Sequence, residues 1–382
     1  MSNLSEHFQN RHEIILNQIR QLVDIESPSY DEAGSRNAVD FLVEKAKEIN
    51  SISSIERIYR EGYGEHLIIR TFSQSEIPNP KSQVLLLGHT DTVHPRGAHA
   101  KNPTRIEGDR FYGCGIFDMK TNCVLMLEIL RAFDELNLKP NRPITILLSC
   151  DEEVGSDTGR EFVETEAVNS AYCLVFEPSA NGKVKTGRKG TGWYELKAHG
   201  IPAHAGLEPE KGASAILEIS RQIQQIHTLN ALEKGTTVNV CKINGGTASN
   251  VIPENAAAEI DVRFTSMTEA ERIQNEIKNL QSFDERVSLE LLGDINRPPM
   301  ERTEGVVALY ETAKTIADAM NYEFGETQVG GASDGNFVGA LGIPVLDGLG
   351  VKGNGAHTND EYILISDVTK RAELLAQLIL SL

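Results

Sequence analysis

The 382-residue chain is poor in cysteine, with five, at positions 114, 123, 150, 173 and 241. Their number is odd, their spacing is scattered and no C-x-x-C pair occurs. That excludes a disulfide framework or a cysteine-built zinc module and fits a reducing compartment. Basic charge is also scarce: 37 Lys and Arg stand against 55 Asp and Glu, a formal net charge of −18. Such an excess argues against nucleic acid or an anionic membrane surface as a partner. No apolar run approaches the length of a membrane span. The polar stretch 1–10 lacks the apolar segment of a secretion signal, so a cytoplasmic location is expected. Internal repeats, low-complexity segments and an H-E-x-x-H motif are missing too; His12-Glu13 has no second histidine.

What is present is the composition of an ordinary globular protein, 40% hydrophobic and 24% charged. The length exceeds one comfortable core, so two domains are expected. Helical apolar spacing covers 8–25 (Ile14, Ile15, Ile19, Leu22, Val23) and stops before Ser27-Pro28, and a second helix follows over 31–49. Strands are expected at 66–72 and 83–87, separated by a loop over 73–81 with prolines at 78 and 80. Then come a helix over 120–136, a strand over 144–150, a helix over 156–168 and a strand over 172–176. This βαβ alternation predicts an α/β fold, a mostly parallel sheet flanked by helices.

Between about 186 and 292 the pattern changes. A strand (190–199), a helix (212–228), two strands (236–244, 256–264), a helix (268–280) and a strand (286–291) make the βαββαβ order of a split-βαβ sandwich. It reads as an α+β domain, 188–295, inserted into a first domain made of 1–187 and 296–382. The α/β style resumes after Arg297-Pro298-Pro299 with a helix over 305–320, a strand over 343–346 and a helix over 367–380.

The strand 144–150 is apolar without a break and ends on Asp151-Glu152-Glu153. Carboxylates about 4 Å apart repel by roughly 4 kcal/mol at an effective dielectric near 20, so the cluster needs a proton, a cation or open water. One acidic triplet alone reads as a solvated loop. In parallel sheets, however, sites collect beyond the carboxyl ends of the strands, and two further strands end on His89 and Glu177. Asp91, two residues beyond His89, is placed to bond the ring nitrogen that a metal would leave free. Taken singly, Asp118 in its Gly-rich turn reads as a helix N-cap, Glu177 as a loop acid and His357 as a surface histidine. Together, two histidines and several carboxylates at one sheet edge suit zinc or a similar divalent ion. They suffice for two ions sharing a carboxylate, with one of Glu152 and Glu153 left over as general base.

Two competing motifs occur. Gly331-Ala332-Ser333-Asp334-Gly335 fits G-x-S-x-G, and Asp347 and His357 follow in the order of a serine hydrolase. The segment before it, 326–329, is short and polar, and this reading leaves His89, Asp118 and the acidic triplet idle. Gly348-x-Gly350-x-x-Gly353 fits a dinucleotide fingerprint, but no amphipathic helix opens after it.

Five ordered segments, Gly88-His89-Thr90-Asp91-Thr92-Val93, Gly115-Ile116-Phe117-Asp118-Met119-Lys120, Asp151-Glu152-Glu153-Val154-Gly155-Ser156, Phe176-Glu177-Pro178 and Ala356-His357, resemble the co-catalytic zinc aminoacylase/carboxypeptidase family. That family includes glutamate carboxypeptidase, acetylornithine deacetylase and succinyl-diaminopimelate desuccinylase. The resemblance implies two divalent ions, zinc first and cobalt or manganese as alternatives. By it, His89 and Glu177 complete separate metal positions bridged by Asp118, and Glu153 and His357 fill the remaining places. Glu152 is then the general base and Asp91 the partner of His89. Gly200-Ile201-Pro202-Ala203-His204-Ala205-Gly206 is similar to the family's lid motif, whose histidine stabilises the oxyanion, often in the partner subunit. A homodimer through the inserted domain is implied. Asn250 and Arg263 match positions that hold the substrate carboxylate. Read alone, Arg263 is a surface salt bridge and His204 a loop histidine.

The Gly330-Gly331-x-x-Asp334 loop and the lid spacing point to the glutamate carboxypeptidase branch, with Ala332-Ser333 where that branch shows Gly-Thr. The expected activity is hydrolysis of an amide bond beside a free carboxylate, in a small peptide or an N-acyl amino acid. The alternatives are a deacetylase or desuccinylase of the same family, a serine hydrolase using Ser333 and a non-catalytic peptide-binding protein.

Overall fold

The computed structural model describes residues 2–72 and 83–382; the loop expected over 73–81 lies outside them. Six strands form the central sheet, in the order Ile52–Arg60, Gly64–Thr71, Ile144–Ser149, Gln83–His89, Ser170–Val175, Val345–Leu346. The last four run parallel to one another, while Gly64–Thr71 pairs antiparallel with both Ile52–Arg60 and Ile144–Ser149. The sheet is thus mostly parallel, as the βαβ alternation predicts. Gln83–His89 and Ile144–Ser149 are buried at every residue, which is why both read as unbroken apolar runs. Ile52–Arg60 is not foreseen in the sequence. It is a sheet edge exposed or half-exposed throughout, so it carries little of the apolar pattern that marks a strand.

One core joins this sheet to its helices, with Leu86 and Ile146 packed among Ile19, Leu22, Leu125 and Leu375. The helix expected over 8–25 is two, Ser2–Asn10 and His12–Asp24. The helix expected over 156–168 is shorter, Arg160–Ala167, because the residues before it form the turn that carries the acidic triplet. Among the described residues no helix is long and apolar enough to cross a membrane.

The chain packs as two compact units. One comprises 1–187, 302–328 and 333–382, and the other 188–301 with 329–332. In the second, the strands lie in the order Thr237–Gly245, Asn255–Phe264, Gly190–His199, Ser288–Arg297, each antiparallel to its neighbour. Helices Ala215–His227 and Met267–Lys278 lay Ile219, Ile226, Ile273 and Ile277 against Tyr194, Ile260 and Val262. Order and pairing are those of a split-βαβ sandwich. Arg188 ties the short segment to this unit, donating from Nη1 to the carbonyls of Gly331 (3.2 Å) and Ala332 (3.1 Å).

Candidate metal centre

Strand register brings the first residues together. His89 pairs with Ser149, and Leu87 with Val175, so Glu177, two residues past Val175, comes level with His89. Beyond Ser149 the chain turns through one tight helical turn, Glu152–Val154. Asp118 is no helix cap: it sits with extended backbone (φ −119°, ψ 92°) in the irregular turn Ile116–Lys120 ahead of the helix Thr121–Glu135. His357 has φ +66° in the turn between Gly353–Asn354 and Tyr362–Leu364.

His89 Nε2 lies 3.1 Å from Asp118 Oδ1 and 3.3 Å from Glu177 Oε1. His357 Nε2 lies 3.3 Å from Asp118 Oδ2 and 3.1 Å from Glu153 Oε2. The two oxygens of Asp118 therefore face different imidazoles, each with its own glutamate. Where the resemblance implied separate metal positions for His89 and Glu177, the register that sets Glu177 level with His89 places these two side chains together, and Glu153 lies beside His357. Glu152 is half-buried, and its carboxylate shares a 4.8 Å neighbourhood with His89 and Glu177; so does Glu153 with His89 and Asp118.

The carboxylates of Asp91, Asp118, Glu152, Glu153 and Glu177 gather around the imidazoles of His89 and His357. Burial opposes a charged ring at His89, but the carboxylates of Asp118, Asp91 and Glu177 outweigh it and raise its pKa well above the usual value. Hydrogen bonds to Asp118 and Glu153 push His357 up to about 10. Burial works to raise Asp118, yet the two imidazoles hold it well below the carboxylate range. Burial raises Glu153, and its Oε1 is buried without a hydrogen-bond partner. A buried acceptor of this kind, inside a surplus of carboxylates with two imidazoles, fits divalent cations in chemistry and in number of donors.

Asp91 does more than the sequence suggests. His89 Nδ1 bonds the Asp91 main-chain carbonyl at 3.0 Å, with the Asp91 carboxylate 3.4 Å away. The carboxylate itself accepts from the Glu152 and Glu153 amides, both at 3.2 Å, and from Ser29 Oγ at 2.7 Å. One residue thus supports the ring of His89 through its carbonyl and aims the acidic turn through its carboxylate. Asp151 also acquires a role. Its Oδ2 accepts from the Thr158 amide (2.7 Å), Thr158 Oγ1 (2.8 Å) and the Gly159 amide (3.2 Å), closing the turn from the other side.

His66, Cys150 and Asp151 form a further buried group of potential ligands, but both His66 ring nitrogens are engaged. Nδ1 accepts from the Cys150 amide (3.3 Å), and Nε2 bonds Thr158 Oγ1 (2.9 Å). A chain from Cys150 through His66 and Thr158 to Asp151 Oδ2 ties up the imidazole, while Asp151 Oδ1 is buried without a hydrogen-bond partner.

In the second unit, Ala203–His204 pairs with Val251–Ile252, and the Ala205 amide donates to the Asn250 carbonyl at 2.9 Å. Both His204 and Asn250 are exposed. They adjoin the Asn255 end of the strand Asn255–Phe264, where the Gly200 amide bonds the Glu254 carbonyl. Arg263 lies eight residues further along that strand, about 27 Å at roughly 3.4 Å per residue. It is clasped by Asp261, Nε to Oδ1 at 3.0 Å and Nη2 to Oδ2 at 2.8 Å, the salt bridge its position alone suggests. Ser333 is fully buried and its Oγ donates directly to Asp347 Oδ2 at 2.6 Å. His357 meanwhile bonds Asp118 and Glu153, so the relay of a serine hydrolase does not form.

Residues 85–381 match the sequence pattern of peptidase family M20/M25/M40 over most of the chain. The chain belongs to this family. Carboxypeptidase G2 of Pseudomonas sp. (strain RS-16) is 29% identical over 380 residues, spanning 96% of this chain and 89% of that protein. Succinyl-diaminopimelate desuccinylase of Verminephrobacter eiseniae (strain EF01-2) is 29% identical over 310 residues, 75% of each chain. Among solved structures, the Bacillus subtilis YXEP protein, described as a dinuclear metal binding peptidase from the M20 family, superposes with a TM-score of 0.68 at 13% identity, over 98% of both chains. As a member of the M20 family, this chain is a carboxypeptidase-like hydrolase of the metallopeptidase type.

Proposed function

We propose that the chain is a two-metal hydrolase that cleaves the amide bond of a small peptide or an N-acyl amino acid beside a free carboxylate, as a glutamate carboxypeptidase does. The observation that carries this reading is Asp118, which turns one oxygen to His89, itself beside Glu177, and the other to His357, itself beside Glu153. In this reading His89, Asp118 and Glu177 hold one ion and His357, Asp118 and Glu153 the other. Zinc is the expected metal, and cobalt and manganese suit the same donors. Bound divalent ions supply polarisation of the amide carbonyl and a lowered pKa for water.

The chain's own residues do the rest. Glu152, beside His89 and Glu177, takes the proton of the attacking water and passes it to the leaving amine nitrogen. Asp91 holds the His89 ring and the backbone of Glu152. His204 donates to the developing oxyanion, and Asn250 and Arg263 hold the substrate carboxylate, Arg263 through paired guanidinium bonds. His204 and Asn250 lie a strand's length from Arg263 within one unit, too far for one small substrate to touch all three. That distance supports a homodimer in which His204 and Asn250 reach a site whose Arg263 belongs to the other chain. The likeness to the YXEP protein, a dinuclear metal binding peptidase, supports two ions, and the likeness to carboxypeptidase G2 supports the amide beside a carboxylate. Five free cysteines, four of them buried, support a cytoplasmic setting.

The desuccinylase relative favours a second reading, in which the same chemistry releases an acyl group from an amino acid. A panel of dipeptides, N-acyl amino acids and N-succinyl amino acids, assayed by amine release on protein of known metal content, separates the two by which member turns over. Chelation is expected to abolish turnover, and added zinc, cobalt or manganese to restore it. Activity indifferent to chelator, or none across the panel with two metals bound, overturns the proposal.

A further inference from the structure

Glu361 lies four residues beyond His357 and is fully buried. Its Oε1 accepts from the amides of Phe117 (2.8 Å) and Asp118 (2.9 Å). Its Oε2 accepts from the amide of Gly115 (2.9 Å) and bonds His94 Nε2 (2.6 Å). The Glu361 carbonyl accepts from the Gly113 amide as well, at 3.2 Å. One carboxylate and its own main chain thus gather the amides of 113, 115, 117 and 118 from more than 240 residues away in sequence.

The turn Ile116–Lys120 needs such a brace. It belongs to no strand, its internal backbone at Asp118 and Met119 is non-helical, and Gly115 before it has φ +74°, so regular secondary structure does not define where Asp118 points. A buried carboxylate is tolerable only with its oxygens fully bonded, and here the donors come from the turn itself. The amide of Asp118 is among them, so the backbone of the bridging residue is referenced directly to Glu361. Through the four residues from His357 to Glu361 the same brace reaches the turn of the second histidine, and through His94 it reaches the segment that follows His89 and Asp91.

We propose that Glu361 is a positioning residue that sets the Asp118 turn, so that the two oxygens of Asp118 reach both metal positions at once. The proposal rests on the reading of Asp118 as the shared ligand. The test uses the full chain freed of metal and titrated with Co2+ alone, with affinity from competition against a chromophoric chelator and geometry from the visible absorption of bound Co2+. Glu361→Ala is expected to weaken Co2+ binding about 10–100-fold, the usual effect of removing a group that orients a ligand, and to alter the absorption band. Glu361→Gln keeps the side chain's size and the bonds at one end, but turns an amide N–H toward Gly115 and His94. It is expected to fall between Glu361→Ala and the parent, with at least a threefold loss, and it decides the matter alone if the alanine variant does not fold. A purely structural role would lower the melting temperature while leaving affinity and spectrum of the folded chain unchanged; affinities within threefold of the parent for both variants overturn the proposal. Asp118→Asn in the same titration separates the two layers. If it leaves Co2+ binding intact, the shared-ligand reading fails. If it abolishes binding while both Glu361 variants bind normally, only the role of Glu361 fails.

Discussion

The residues gathered around Asp118 and those around His204 are held in opposite ways. In the first unit His89 and Glu177 are buried, Asp118, Glu152 and Glu153 half-buried and His357 exposed, and the acidic turns are gripped from elsewhere in the chain: Glu152 and Glu153 by Asp91, the turn after them by Asp151, and Asp118 by Glu361. In the second unit His204 and Asn250 are exposed, and Arg263 is satisfied by a neighbour two residues away. A site meant to hold multiply charged ions in fixed geometry requires bracing, because small displacements of ligands cost affinity. The contrast fits the proposed reading, in which the first unit holds the ions and the residues of the second meet substrate only on association.

Several changes break or sharpen that contrast. The largest effect is expected from Glu152→Ala, which should lower turnover by about 10²–10⁴-fold while metal analysis still finds both ions. A variant that keeps activity would remove Glu152 from the mechanism. His204→Ala should lower turnover by about 10²–10³-fold without touching metal content. Mixing it with Glu152→Ala should recover activity if His204 serves the other chain's site; no recovery would return His204 to its own chain. Asp91→Asn should weaken metal binding or activity by about 10–100-fold, read by isothermal titration with zinc. Arg263→Ala should raise KM at least about tenfold for substrates with a free carboxylate, the loss of its paired charge-assisted bonds, and leave kcat nearly unchanged. An equal fall in kcat would instead place Arg263 among groups felt only in the transition state.

A further effect concerns pH. Burial disfavours a charged ring at His94, but Cys114 and Glu361 raise it to about 9. A pKa raised in the folded state stabilises fully below the unfolded value near 6.5 and is lost as pH climbs through 9. The metal-free protein should therefore lose up to about 3 kcal/mol between those values, and thermal melts of His94→Asn should show a flatter decline.

Much of the fold is legible in the residues. Gln83–His89 and Ile144–Ser149 announce themselves because burial on both faces demands unbroken apolar runs, and Gly190–His199 because one face of its sheet is covered and the other is not. The polar edge strand Ile52–Arg60 is not legible, since exposure erases the signal. At the site, His89, Glu152, Glu153 and Glu177 are legible as polar residues ending apolar strands. Asp118 is visible only alongside the others, because alone it looks like a cap. Glu361 follows the Ala356-His357 motif closely, yet nothing local marks it, as its partners are three main-chain amides and a histidine far away in sequence, and an amide has no side-chain signature.

The amino-acid order by itself determined which residues could become strand-end ligands, because periodicity and burial are properties of neighbouring positions. Only the tertiary structure decided how they group: His89 with Glu177 rather than apart from it, one oxygen of Asp118 for each histidine, Asp91 under two turns at once, and Arg263 a strand's length from His204. Those groupings depend on register and on contacts between residues tens to hundreds of positions apart. They follow from packing, which no local pattern encodes.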